Sequence, residues 1–97
     1  MYARLTTVEF DTAAHRTAAL ELMEDEIERI RAMRGFHAAY FLDVDEFRIL
    51  SVVMFVTHEQ LQAIREEDEA LRERLGQIGI TFGTLQECRV MAFAADG

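Results

Sequence analysis

The pattern of apolar and polar positions divides the chain into six elements in the order strand, helix, strand, strand, helix, strand. The first strand covers Tyr2 to Phe10 and ends at Asp11-Thr12, either of which can cap a following helix by accepting a backbone N–H. Ala19, Leu22, Met23, Ile27, Ile30 and Met33 then recur every three or four residues, which predicts a helix to about Arg34 with Gly35 as its left-handed terminator. Glu21, Glu24, Asp25, Glu28 and Arg31 fall on its water-facing side.

Two apolar runs follow, Phe36 to Asp43 and Phe47 to Thr57, joined by the polar stretch Asp43-Val44-Asp45-Glu46 into a hairpin. No Asn-Gly or Asp-Gly pair fixes the turn type, so two registers remain open. A two-residue turn at Asp45-Glu46 puts Phe36, Ala38 and Tyr40 on the face of Phe55, Val53 and Ser51, and a longer odd-residue loop swaps that pairing. Thr57 and Gln60 have capping-box spacing, which starts the second helix. Its stripe is Leu61, Ile64, Leu71, Leu75 and Ile78, with Asp68 where another apolar residue is expected. Gly76 and Gly79 loosen and end that helix, and the last strand is drawn from Ile80 to Ala94 with an interruption near Gly83.

This βαββαβ order with right-handed crossovers predicts an α+β ferredoxin-like sandwich. Its four-stranded antiparallel sheet carries two helices on one face, in a single domain over residues 1–97. The hairpin strands, however, are apolar on both faces. Leu50, Val52, Met54 and Val56 point one way and Ile49, Ser51, Val53 and Phe55 the other, so one apolar face is left without a helix to cover it. Burying roughly 500 Å² of it per subunit, at about 25 cal/mol/Å², gives on the order of 12 kcal/mol before association costs. The expected partner is a second copy of the chain, through the sheet face that includes Leu50, Val52 and Met54.

Composition narrows the partners further. Eighteen acidic residues against ten basic ones, all arginine, give a net charge of −8, which repels phosphate backbones and anionic lipid surfaces. Neither nucleic acid nor membrane is expected to bind. The sheet also lacks the basic-and-aromatic signature of RNA-binding modules of this topology. Without a basic, apolar leader at the N-terminus or an apolar run long enough for a bilayer, the expectation is a cytoplasmic protein. The one cysteine, Cys88, can form neither an internal disulfide nor a Cys-x-x-Cys metal pair, and no metal-ligand cluster is evident.

Several residues are candidates for chemistry. Asp68 is either a general base in a desolvated position or a solvated acid beside Arg65 or Arg72. His37 is either an acid–base group or a hydrogen-bonded strand histidine. His15 and His58, each in the first turn of a helix, are expected to be exposed. Tyr40 offers a hydroxyl, while Phe36, Phe41 and Phe55 offer faces for a planar ligand or simply core. Arg89 pairs either with a ligand oxyanion or with an acid such as Glu9 across strands.

Over nearly its whole length the chain resembles the dimeric α/β-barrel superfamily, and within it the antibiotic biosynthesis monooxygenase (ABM)-like domain. The resemblance is carried by Gly35-Phe36 opening the second strand, Arg48-Ile49-Leu50-Ser51-Val52-Val53-Met54-Phe55 ending in an aromatic, and Thr57-His58-Glu59-Gln60-Leu61 opening the second helix. A closing strand rich in valine and aromatics completes it. It implies a homodimer whose sheets pair into a barrel, with a small-molecule pocket between helices and sheet. Some relatives oxidise polycyclic phenols without a cofactor, some degrade haem, and many have no known activity. Phe55 stands where oxygenase relatives usually have tryptophan, and Ile64 where a histidine is often found. With no asparagine in the chain, the asparagine and tryptophan pair of several oxygenating members cannot be built.

Two functions therefore stand side by side: a ligand-binding or accessory dimer without catalysis, and a cofactor-independent oxygenase acting on a polycyclic phenol. In the second, Asp68 or His37 is the base, and Tyr40, Phe55, Ile64 and Arg89 line the substrate.

Overall fold

A computed structural model describes residues 1–77, 79–83, 86–92 and 94, with the backbone only for residues 65–68, 70, 71 and 82. Its elements are β1 (Tyr2–Phe10), α1 (Ala13–Arg31), β2 (Phe36–Asp45), β3 (Arg48–Phe55), α2 (His58–Gln62), α3 (Arg65–Gln77), β4 (Ile80–Phe82) and β5 (Gln86–Arg89). The antiparallel sheet has the order β2-β3-β1-β4, and β5 pairs beside β4 along the same edge of β1. This is the ferredoxin-like topology expected from the element order.

The caps work as the sequence indicates. The Thr12 hydroxyl accepts the His15 N–H at 3.1 Å to start α1, and Gly35 takes φ +85° just before β2. Thr57 and Gln60 close a full capping box: Gln60 N–H donates to Thr57 Oγ1 at 3.2 Å, and Thr57 N–H donates to Gln60 Oε1 at 3.1 Å.

Two elements depart from expectation. The second helix is broken at Ala63 and Ile64 into α2 and α3, so it is not one continuous rod. The break lets its stripe serve two cores. Leu61 and Ile64 join Ile30, Val53 and Phe55, whereas Leu75 joins Val8, Phe10, Ala19, Met23, Ile49 and Ile80. Leu71 is described by its backbone only, and Ile78 lies outside the described residues. The last strand is likewise two short pieces, β4 and β5, and stops at Arg89 well short of Ala94. The interruption falls at Gly83, whose N–H donates to Thr7 O.

The hairpin combines both candidate registers. Asp45 pairs with Arg48 and Phe36 with Phe55, but the pairing shifts between Phe36 and Ala38 and again between Asp43 and Asp45. The first shift is a bulge at His37 that reverses the alternation. Phe36 therefore shares a face with Phe55, while Ala38, Tyr40 and Leu42 lie opposite Met54, Val52 and Leu50 on the other face. His37 is exposed at the bulge.

Both buried clusters lie between the helices and one face of the sheet. The opposite face, with Leu5, Leu50, Val52 and Met54 half-buried and Tyr40 and Leu42 exposed, carries no helix. At the hairpin end Arg16 of α1 ties the layers together. It donates to Asp43 Oδ1 at 2.8 Å and to the Asp45 carbonyl at 2.9 Å, and its guanidinium lies 5.5 Å from the Phe10 ring centre.

Candidate functional site

On β1 the residues facing the helices are Tyr2, Arg4, Thr6, Val8 and Phe10, and two of them are polar where the core would take apolar side chains. Arg4 is only 2% exposed. A guanidinium in that position is tolerable only if its charge and donors are met. The broken helix supplies one partner: the Leu61 carbonyl, at the turn between α2 and α3, accepts Arg4 Nη2 at 3.1 Å. β5 supplies another: Glu87, directly opposite Arg4 in register, accepts Nη2 at 3.0 Å and Nε at 3.3 Å on Oε1. The second Glu87 oxygen lies 3.1 Å from His58 Nε2, and the His58 ring sits 5.2 Å from that of Tyr2.

Beside this network a recess with a cavity volume of about 50 Å³ opens to solvent between α1, the α2–α3 turn, α3 and the sheet. Its sheet floor is Arg4 and Thr6 of β1 with Ser51 and Val53 of β3, and Thr6 lies directly opposite Ser51. The walls are Met23, Ile27 and Ile30 of α1, Phe41 of β2 and Ile64, with Glu26 and Arg72 as the remaining polar lining. Glu26 is held by Arg29, which bonds both of its carboxylate oxygens. A mostly apolar wall around a few convergent polar groups is the ordinary form of a small-molecule site.

The sequence-derived candidates distribute unevenly around it. Ile64 lines the recess, and Phe55 is fully buried in the cluster beneath, edge-on to Phe36 with ring centres 5.9 Å apart. Tyr40 is 46% exposed on the uncovered sheet face, away from the recess. Arg89 is exposed on β5 opposite Tyr2, and Glu9 lies opposite Arg48, so those two do not pair across strands. Asp68 belongs to α3 by its backbone, and its side chain lies outside the described residues. His15 is half-buried against Gly79, whereas the His58 side chain stays 44% exposed while reaching Glu87.

Sequence reasoning missed Arg4, Thr6, Glu87 and the role of His58. Arg4 was detectable, because it occupies an inward position of β1 on the same alternation as Val8 and Phe10. Its partner Glu87 was not, being 83 residues away. Among the described residues no three His, Cys, Asp or Glu side chains form a metal-binding group, and no helix is long and apolar enough to cross a membrane.

No protein-family profile and no curated protein matches the chain in sequence. Solved structures do match it in shape. A Nitrosomonas europaea protein of unknown function superposes with a TM-score of 0.76 at 11% identity, covering 99% of this chain and 95% of that one. A Streptomyces coelicolor monooxygenase from the gene ActVA-Orf6, in complex with nanaomycin D, gives 0.68 at 15% identity over 97% of this chain and 92% of that one. A dimeric ferredoxin-like protein from an uncultured marine organism gives 0.67 at 18% identity, covering 98% of each chain. The chain thus has the ferredoxin-like fold of the antibiotic biosynthesis monooxygenase-like proteins.

Proposed function

We propose that residues 1–97 form one domain that works as a homodimer and binds a small, largely apolar molecule in the recess between helices and sheet. The observation that carries this reading is the recess itself: apolar walls from α1, Phe41 and Ile64 above a floor that holds a buried guanidinium and two hydroxyls. Dimerisation through the uncovered sheet face is supported by its exposed Tyr40 and Leu42 and by the similarity to a dimeric ferredoxin-like protein.

The similarity to a monooxygenase solved with nanaomycin D favours a second reading, an oxygenase acting on a polycyclic phenol. In it Asp68 removes the phenolic proton and the resulting carbanion reacts with dioxygen while Ile64 lines the ring; of the other sequence candidates, His37, Tyr40, Phe55 and Arg89 do not line the recess and take no part in this reading.

Binding is tested by titrating the protein with ring compounds against the variant Ile27→Trp, which fills the recess from a half-buried wall position. Saturable binding lost in that variant supports the reading, and binding unchanged in it removes the recess as the site. Oxygen uptake with an anthrone, wild type against Asp68→Asn, then separates the two functions. No uptake leaves the binding protein, and uptake that persists in the variant takes the base role from Asp68.

A further inference from the structure

Building on the recess as a small-molecule site, we propose that its ligand carries a neutral carbonyl on a slim apolar end, and that the carbonyl oxygen is taken by the paired hydroxyls of Thr6 and Ser51. The two side chains stand directly opposite each other on β1 and β3, on the sheet face turned to the helices, and both line the recess. Thr6 is only 7% exposed. Neither hydroxyl has a hydrogen-bond partner among the described residues, which leaves the floor with polar groups that a ligand can satisfy.

The charged groups of the lining are already engaged. Arg4 is held by Glu87 and the Leu61 carbonyl, Arg29 bonds both oxygens of Glu26, and Arg72 also has a partner. An ion placed here would compete with partners already in position, so the group that fits is neutral. Side chains paired across antiparallel strands have Cβ atoms roughly 5 Å apart, a spacing that one oxygen between two hydroxyls can bridge. A carbonyl oxygen accepts from both and leaves no proton unmet. An alcohol brings a third proton to the same three oxygens, and one of the three is then left without an acceptor. Size sets a further limit. A cavity of about 50 Å³ is less than the liquid share of two waters, at roughly 30 Å³ each, so it admits only the end of a molecule. The remainder lies against Ile27 and Phe41, which also border the outer groove along Glu24 and Glu28.

The full-length chain is titrated at neutral pH with four probes of one shape, acetophenone, its oxygen-free isostere α-methylstyrene, 1-phenylethanol and benzoate, following the amide NMR signals of Thr6 and Ser51. Acetophenone is expected to bind more tightly than the alcohol and the benzoate. Thr6→Val and Ser51→Ala, both close in shape to the native side chains, are each expected to weaken acetophenone about fivefold, the scale of one neutral hydrogen bond, and to leave α-methylstyrene unchanged. Thr6→Ser, which keeps the hydroxyl, should bind acetophenone as the wild type does. Because the Thr6 hydroxyl meets no partner within the protein, Thr6→Val should also melt no lower than wild type, and a clear drop in Tm would overturn the proposal by showing that hydroxyl to be bonded internally. Alcohol or benzoate binding as tightly as the ketone, or variants that weaken acetophenone and α-methylstyrene alike or not at all, overturns the carbonyl assignment while small-molecule binding stands. Failure of every probe to bind overturns both.

Discussion

Arg4 and Glu87 face each other across β1 and β5, in register, with Nη2 of the arginine 3.0 Å from Oε1 of the glutamate and only 2% of the arginine side chain exposed. The pair joins the first strand to the last, and Arg4 also donates to the Leu61 carbonyl at the end of α2. Glu87→Ala removes the carboxylate that holds two of the guanidinium nitrogens, and the expected loss is about 2–3 kcal/mol of stability in urea unfolding. Arg4→Met combined with it should cost less than the two single losses added, giving a coupling of about 1–3 kcal/mol. A loss under about 0.5 kcal/mol for Glu87→Ala, the range of ordinary surface changes, would show that the pair does not hold the strands together.

Gly35 gives a sharper test of local structure. Its φ of +85° is a conformation L side chains adopt at a cost, and a Cβ there would fall on the Gln60 carboxamide that closes the capping box. Gly35→Ala is expected to cost about 1–2 kcal/mol from the backbone alone, plus whatever the displaced cap contributes. In a Gln60→Ala background the collision disappears and only the backbone part remains, so the penalty of Gly35→Ala should shrink. An unchanged penalty assigns the whole effect to the positive φ.

The hairpin tip predicts a pH dependence. The Arg48 guanidinium, donating Nη2 at 2.7 Å and Nε at 3.0 Å to Oδ2, holds the Asp45 carboxyl below its ordinary 3.8, helped by the Phe47 N–H on Oδ1. Arg48 is raised in turn by the same bond. For an acid whose pKa is depressed on folding, the stabilisation is complete above the unfolded value and is lost as the pH falls through the folded one. The difference in Tm between wild type and Asp45→Asn should therefore be steady near neutrality and shrink below about pH 4. Both groups are exposed, so the effect is small, and added salt should reduce it. A difference that stays constant into strong acid would remove Asp45 from the account.

Much of this architecture follows from local signals. Thr12, Gly35 and the Thr57–Gln60 box mark element ends because each satisfies or frees backbone groups within a few residues of itself. The bulge at His37 leaves no such mark: the flanking run Phe36 to Phe41 is apolar on both faces, so either alternation buries apolar side chains and the choice falls to the paired strand. The helix break at Ala63 is hidden for a similar reason. Beside it the Leu61 carbonyl accepts both the Ile64 N–H and the Arg4 guanidinium, a partner distant in sequence. The recess is legible only in its walls. Ile64 carried that reading, while its floor of Arg4, Thr6 and Ser51 exists only once β1 and β3 are paired.

That same pairing of β1 with β3 gathers Leu5, Leu50, Val52 and Met54 on the face turned away from the helices, with Tyr40 and Leu42 of β2 beside them. No element of the chain covers this surface among the described residues, and an apolar patch of this kind on a soluble protein marks an interface. A face-to-face dimer is the expected state at about 10 μM, because a specific interface of standard size buries roughly 800 Å² per partner. Val52→Glu and Met54→Glu each set a charge in the middle of that face and should give monomers by sedimentation, with near-native circular dichroism since the helix-side clusters are untouched. Val53→Glu, one residue along and 7% exposed in the helix-side core, should instead unfold the chain. The contrast between neighbouring positions is the decisive part. If Val52→Glu stays dimeric, or if the wild type sediments as a single folded chain at that concentration, the sheet face is not where two copies meet.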